Sequence, residues 1–223
     1  MPSTASPIKA LIFDFDGVLA DTEPLHWQAW REILKPYGIE LNWEIFQRIC
    51  VGLSDWEMLN ELCKLATRPV TPDELRVHYP RKRKLFRALA ERQPVIDPAL
   101  IDLLKSISSI RLGVVTSSNE EEIRPILLQA KLLDCMTAVV YGNHVQHYKP
   151  HPEPYHIALQ RLGVAAEEAV VFEDSAAGMQ SAREAGCRVV QVVDVASVPA
   201  LVRAEVAEIF PPQSYSYGYT PPK

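Results

Sequence analysis

The chain has 223 residues, 48% of them hydrophobic and 23% charged, which is enough apolar surface to bury a core and excludes the disordered and collagen-like classes. Lys plus Arg number 23 against 28 Asp plus Glu, a formal charge of -5, so nothing in the balance argues for nucleic acid or an anionic membrane as partner. The cysteines at 50, 63, 135 and 187 are too few and too scattered for a disulfide framework or a paired-CxxC zinc site, and they read as small core side chains in a reducing compartment.

In chain order, residues 1–7 (MPSTASP) lack the charge and apolar run of a signal peptide, and no stretch of about 18 apolar residues follows that could span a membrane. The expected location is cytoplasmic. Residues 9–14 (KALIFD) predict a buried strand that opens onto a loop at Gly17. Residues 21–95 contain no convincing strand. Helices are predicted there over 25–37, 43–50, 55–66 and 73–92, separated by Gly- and Pro-bearing breaks. Trp27, Trp30, Ile33 and Leu34 form one apolar stripe on the first of them. All four tryptophans (27, 30, 43 and 56) lie in this segment and read as its own core or its contact with the rest of the molecule.

From about residue 96 the pattern alternates. Helices over 98–107, 120–133, 154–162 and 176–185 are interleaved with short apolar strands over 112–116, 138–141, 169–172 and 189–193, and Gly163 and Gly186 are expected helix stops. Near-continuous apolar strands require cover on both faces, so the fold class is α/β, a Rossmann-like parallel sheet with an all-helical insertion. The expected division is an α/β core over 1–20 and 96–210, a helical subdomain over 21–95, and a Pro- and Tyr-rich tail over 211–223 that lies extended on the body or loose.

Open α/β sheets place ligands at the carboxyl ends of their strands. Four such ends carry polar groups: Asp14 and Asp16; Thr116 and Ser117; Lys149 beyond the third; Glu173 and Asp174. Four acids gathered there repel one another unless a cation neutralises them, and an oxygen-only ligand set favours a hard ion such as Mg²⁺, which bridges carboxylates to phosphate. Lys149 would hold a carboxylate or a phosphoryl oxygen, and Thr116 with the Ser117 N–H would hold another. Of Asp14 and Asp16, one can attack phosphorus while the other moves the proton.

These residues are similar to a known family. DFDGVLADTEP (14–24), VVTSS (114–118), KPHPE (149–153) and FEDSAAG (172–178) resemble, in order, the four motifs of the haloacid dehalogenase superfamily. The closer likeness is to its β-phosphoglucomutase and phosphoglycolate phosphatase-like members with a helical cap, over residues 8–195 or so. The resemblance implies Asp14 as nucleophile and Asp16 as general acid/base, with the backbone carbonyl of Asp16 on the Mg²⁺. It implies Thr116 and Lys149 on the transferring phosphate, Asp174 as direct metal ligand, and Glu173 as ligand directly or through water. Substrate or phosphate contacts are implied at Gly17, His26, Gly52, Lys82, Ser117 and Ser118.

The expected activity is Mg²⁺-dependent hydrolysis of a small phosphorylated metabolite through an aspartyl phosphate, by a monomer or weak homodimer. Alternatives are a sugar-phosphate mutase and a binding or regulatory protein on the same fold. Val51 and Asp55 stand where the mutase has a lysine and an arginine, and an acid cannot grip a second phosphate. The basic run 81–84 reads as a solvated helix face or a cationic rim. His144, His147 and His151 cannot share one helix face across Pro150, so zinc is not expected there, and Glu120–Glu122 reads as acids at a helix N-terminus.

Overall fold

The structure is a computed structural model and describes residues 7–50 and 55–207. Gly52 and the rest of segment 51–54, and the tail over 211–223, lie outside the described residues, as do the side chains of Asp55 and Trp56.

Five strands, β1 (Ala10–Phe13), β2 (Arg111–Val115), β3 (Met136–Val140), β4 (Ala169–Glu173) and β5 (Arg188–Gln191), form one sheet in the order β3-β2-β1-β4-β5. Every pairing is parallel. The order reverses on either side of β1, which places a crevice at its carboxyl end. Phe13 pairs with Val114 on one side and Phe172 on the other, so Asp14, Thr116 and Glu173 leave the sheet along one edge.

Side-chain alternation explains the apolar strands. Leu11, Phe13, Leu112, Val114, Val170 and Phe172 pack on one face, and Ala10, Ile12, Val115, Ala169 and Val171 on the other. The first face is covered by α6 (Pro98–Ser106), α7 (Glu120–Gln129) and α10 (Val198–Val206), and the second by α8 (Glu153–Leu162) and α9 (Ala176–Glu184). No expected helix corresponds to α10. The helix expected over 120–133 closes at Gln129, and a separate 3-10 turn follows over Leu133–Cys135. Gly163 and Gly186 follow α8 and α9 with φ of 63° and 86°, left-handed conformations that glycine adopts without a Cβ penalty.

Between β1 and α6 lie α1 (Glu23–Leu34), α2 (Trp43–Ile49), α3 (Asp55–Lys64), α4 (Pro72–Arg76) and α5 (Tyr79–Ala90), the helical cap. Its own cluster joins Trp30, Ile33, Leu34, Phe46, Met58, Leu59, Leu62 and Leu75, with Trp27 and Trp43 packed against it. The single helix expected over 73–92 is two helices. Pro80 has no N–H and its ring would crowd the carbonyl four residues back in a continuous helix, so it favours a first turn, where α5 begins afresh. A capping box between Thr71 and Glu74 starts α4. Helix α1 joins cap and core, sending Leu25 and Ala29 into the sheet-side cluster and Trp30, Ile33 and Leu34 into that of the cap.

Candidate active site

The turn after β1 is built to expose acids. Leu19 and Ala20 donate backbone N–H groups to the Phe15 carbonyl, both at 3.0 Å, and Gly17 closes the turn with φ of 81°. Asp14 is 8% exposed, and its Oδ1 accepts from Lys149 Nζ at 2.7 Å. The same ammonium reaches Glu173 Oε1 at 2.5 Å and the Val115 carbonyl at 3.1 Å. Three strand ends therefore meet on one lysine. Burial opposes the ammonium, but the charges of Asp14 and Glu173 outweigh it and hold the Lys149 pKa above its ordinary value. Burial also pushes the Asp14 carboxyl up, against the pull of Lys149 and with the repulsion of Glu173 and Asp16.

Glu173 is fully buried. Its Oε1 accepts from Lys149 and from Tyr155 Oη at 3.1 Å, and its Oε2 from the Ser175 N–H and hydroxyl, both at 3.0 Å. A carboxylate offers about four lone-pair directions, so Glu173 would reach a metal only by giving one of these up.

Asp16 is held differently. Its Oδ1 accepts from the Thr22 hydroxyl, its Oδ2 from Ser118 Oγ at 2.8 Å, and His26 Nε2 stands 3.4 Å from Oδ1. Burial alone would raise its pKa, but the hydrogen bonds from His26, Thr22 and Ser118 more than offset that and hold it well below the usual carboxylate range. Thr116 is buried, and its Oγ1 accepts the Ser118 N–H at 3.0 Å, which leaves the hydroxyl hydrogen to donate; Ser117 next to it is exposed.

A divalent cation fits the acids. Oxygens of Asp14, Glu173 and Asp174 lie within 4.8 Å of one another. Burial and the Glu173 charge push the Asp174 carboxyl up to about 6 against the pull of Lys149, the mark of acids crowded beyond what one ammonium balances. Gly17 makes room for one of them, because a Cβ there would stand 2.2 Å from Asp174 Oδ2. Such a cradle of hard oxygens suits a divalent cation.

A family model described as haloacid dehalogenase-like hydrolase matches residues 11–192. The chain belongs to the haloacid dehalogenase-like hydrolases. It is a phosphoric monoester hydrolase of that family. One relative, the phosphorylated carbohydrates phosphatase of Thermotoga maritima, is 36% identical over 80% of this chain and 82% of its own length. Another, the fructose-1-phosphate phosphatase YqaB of Escherichia coli, is 36% identical over 82% of this chain and 95% of its own. Among solved structures, that of CbbY from Rhodobacter sphaeroides in complex with phosphate is 26% identical, with a TM-score of 0.68 over 82% of this chain and 84% of that one.

The remaining candidates in this hydrolase take places that spacing did not foretell. Lys82 is buried at 6% exposure, apart from its exposed neighbours Arg81 and Lys84, and donates to His26 Nδ1 at 2.6 Å and Glu122 Oε1 at 3.2 Å. Glu122 is accordingly more than an acid at a helix start. His144 stands beside Glu120, while His147 and His151 stack at 4.5 Å beside Glu153. That second group arises from a loop, which is why helix spacing missed it. Its carboxylate and both Nδ1 atoms are already used: Glu153 accepts the Gln146 and His147 N–H groups and pairs with His147 Nδ1, and His151 Nδ1 accepts the Glu153 N–H. All four cysteines are free, and burial pushes the Cys187 thiol up to about 11, in keeping with a packing role. Among the described residues no helix is long and apolar enough to cross a membrane.

Thr22 and Tyr155 escaped the sequence reading. Thr22 sits in the first motif but has the pattern of an ordinary helix cap. Tyr155 follows Lys149 by six residues and has the pattern of a core aromatic. Only the contacts with Asp16 and Glu173 distinguish them.

Proposed function

We propose that this hydrolase removes the phosphoryl group from a small phosphorylated metabolite, a phosphorylated sugar first among them, by way of a phosphoenzyme on Asp14. The observation that carries this reading is the Lys149 ammonium seated between Asp14 and Glu173, with a second carboxylate, Asp16, two residues along the same strand end. The names of the two phosphatase relatives support the sugar class.

In this reading an oxygen of Asp14 bonds to phosphorus as the bond to the leaving oxygen breaks, and Asp16 gives that oxygen its proton. Asp16 then takes a proton from water, which adds to phosphorus and frees Asp14. The bonds from Thr22, Ser118 and His26 favour the ionised Asp16, the form required in the second half. Before the first half one of them must yield so that Asp16 can carry a proton toward the substrate. Thr116 and the N–H of Ser117, at the end of β2, would receive phosphoryl oxygens. Asp14, Asp174 and the backbone carbonyl of Asp16 would hold Mg²⁺, with Glu173 chiefly anchoring Lys149. Bound there, the ion would neutralise phosphoryl oxygens. Free thiols support a reducing, cytoplasmic location, and we expect a monomer or weak homodimer.

A panel of phosphorylated metabolites, read for both free phosphate and isomerised product with and without Mg²⁺, tests the reading. Free phosphate that disappears in Asp14→Asn is the expected result. Glucose 6-phosphate formed from β-glucose 1-phosphate faster than free phosphate would make the enzyme a mutase, and no turnover of any compound would leave a binding protein.

A further inference from the structure

Two cap residues one turn apart on α5, Lys82 and Phe86, enclose the imidazole of His26. Phe86 stacks on it at 4.3 Å between centroids, and Lys82 Nζ lies 2.6 Å from Nδ1. An ammonium has hydrogens to give and no lone pair, so Nδ1 is the acceptor. A neutral ring with an occupied Nδ1 lone pair carries its proton on Nε2, the atom facing Asp16. The state of His26 therefore depends on Lys82 staying charged and in place.

What keeps Lys82 there comes from the core. Its side chain is 7% exposed and that of Glu122, on the first turn of α7, is 6% exposed, with 3.2 Å between Nζ and Oε1. Glu122 also lies four residues after Ser118, which donates directly to the other oxygen of Asp16. One segment of the core thus addresses Asp16 twice: at Oδ2 through Ser118, and at Oδ1 through Glu122, Lys82 and His26. The second route crosses from core to cap and back.

We infer that Glu122 is a positioning residue for the hydrolysis: its carboxylate fixes the Lys82 ammonium, which fixes the His26 tautomer and with it the carboxylate of Asp16. Without Glu122 the ammonium is a lone charge in a buried place, and it leaves or loses its proton. Either event takes the donor from Nδ1. This inference rests on the reading of Asp16 as the acid/base.

The test is Glu122→Gln, which keeps size and an acceptor but removes the charge. Turnover of p-nitrophenyl phosphate is measured beside the ¹⁵N signature of the His26 ring. We expect kcat to fall roughly 10-fold with KM little changed, as for the loss of a partner that orients a reacting group, and His26 to leave the pure Nε2–H form. In a Lys82→Met background the same substitution should have no further effect, because its only route is gone. Wild-type kcat, an unchanged His26 signature, or an equal loss of kcat in the Lys82→Met background would each overturn the inference. Should Glu122→Gln not fold, the double variant Lys82→Met/Glu122→Leu leaves no lone buried charge and carries the test. It must show the same altered His26 signal and lowered kcat, and wild-type values in it are decisive against. The ring signature is read without turnover, so failure here is separable from failure of the Asp16 reading, which would show as full activity in Asp16→Asn.

Discussion

Gly178 leaves open the space that the Glu173 carboxylate fills: a Cβ on that glycine would stand 1.7 Å from Oε1 and 2.4 Å from Oε2. The carboxylate has nowhere else to go, since Lys149, Tyr155 and Ser175 hold it and no solvent reaches it. Gly178→Ala should therefore cost about 1–3 kcal/mol by overpacking, read from urea unfolding. It should also lower kcat, because Lys149 moves with its partner. Unchanged stability and kcat would mean that Glu173 can relocate freely.

Tyr155 tests the same anchor more gently. Tyr155→Phe removes one donor to Glu173 and keeps the ring that faces Lys149 Nζ at 5.2 Å. Loss of a single buried hydrogen bond should cost about 0.5–1.5 kcal/mol. We expect kcat to fall several-fold while KM stays put. A thermal scan and steady-state kinetics decide it, and a rise in KM alone would place Tyr155 at substrate binding.

Thr22 separates capping from catalysis. It precedes α1 at the N-cap, yet its side chain makes no cap bond, because the hydroxyl is spent on Asp16. Thr22→Val keeps the shape and should cost about 1.5–3 kcal/mol through the lost bond to the Asp16 carboxylate, not through a cap. Turnover should drop, and Thr22→Ser should restore it. A large loss of stability with normal kcat would return Thr22 to an ordinary structural part.

The acids predict a pH dependence. Burial and Glu173 raise the Asp174 carboxyl from its ordinary 3.8 to about 6. Without metal the folded protein binds this proton more tightly than the unfolded chain. The group therefore favours folding below pH 3.8, and that contribution is lost as pH rises through about 6. A cation on the same carboxylate must displace the proton, so the rise in Tm caused by Mg²⁺ should be large above about pH 6 and shrink below it. In Asp174→Asn the Mg²⁺ effect should be nearly absent at every pH. A Mg²⁺ shift that grows on acidification would exclude Asp174 as a ligand.

Much of this was legible in the order of residues. Continuous apolar runs on strands and apolar faces on helices are local properties, so the alternation from residue 96 onward and the helical insertion could be read from the chain alone. The strand-end acids Asp14, Asp16, Glu173 and Asp174 could be read too, since a carboxylate just beyond an apolar run has few reasons to be there. Pro80 was equally legible: proline favours the first turn of a helix, so its place inside the span 73–92 already pointed to a second helix start.

Other features needed the folded chain. Lys82 belongs to a run of four basic residues that look alike, and one of the four turns inward because the α5 face carrying it and Phe86 packs on α7. Glu122 is one of three successive acids, and its partner lies 40 residues away in another layer. A backbone's local preferences follow from its own side chains, whereas the partner of a long charged side chain depends on which surfaces meet after the sheet orders itself β3-β2-β1-β4-β5. The identity of the reacting acids could be written down from the chain as a string, and the network that aims Asp16 existed only once cap and core had closed on each other.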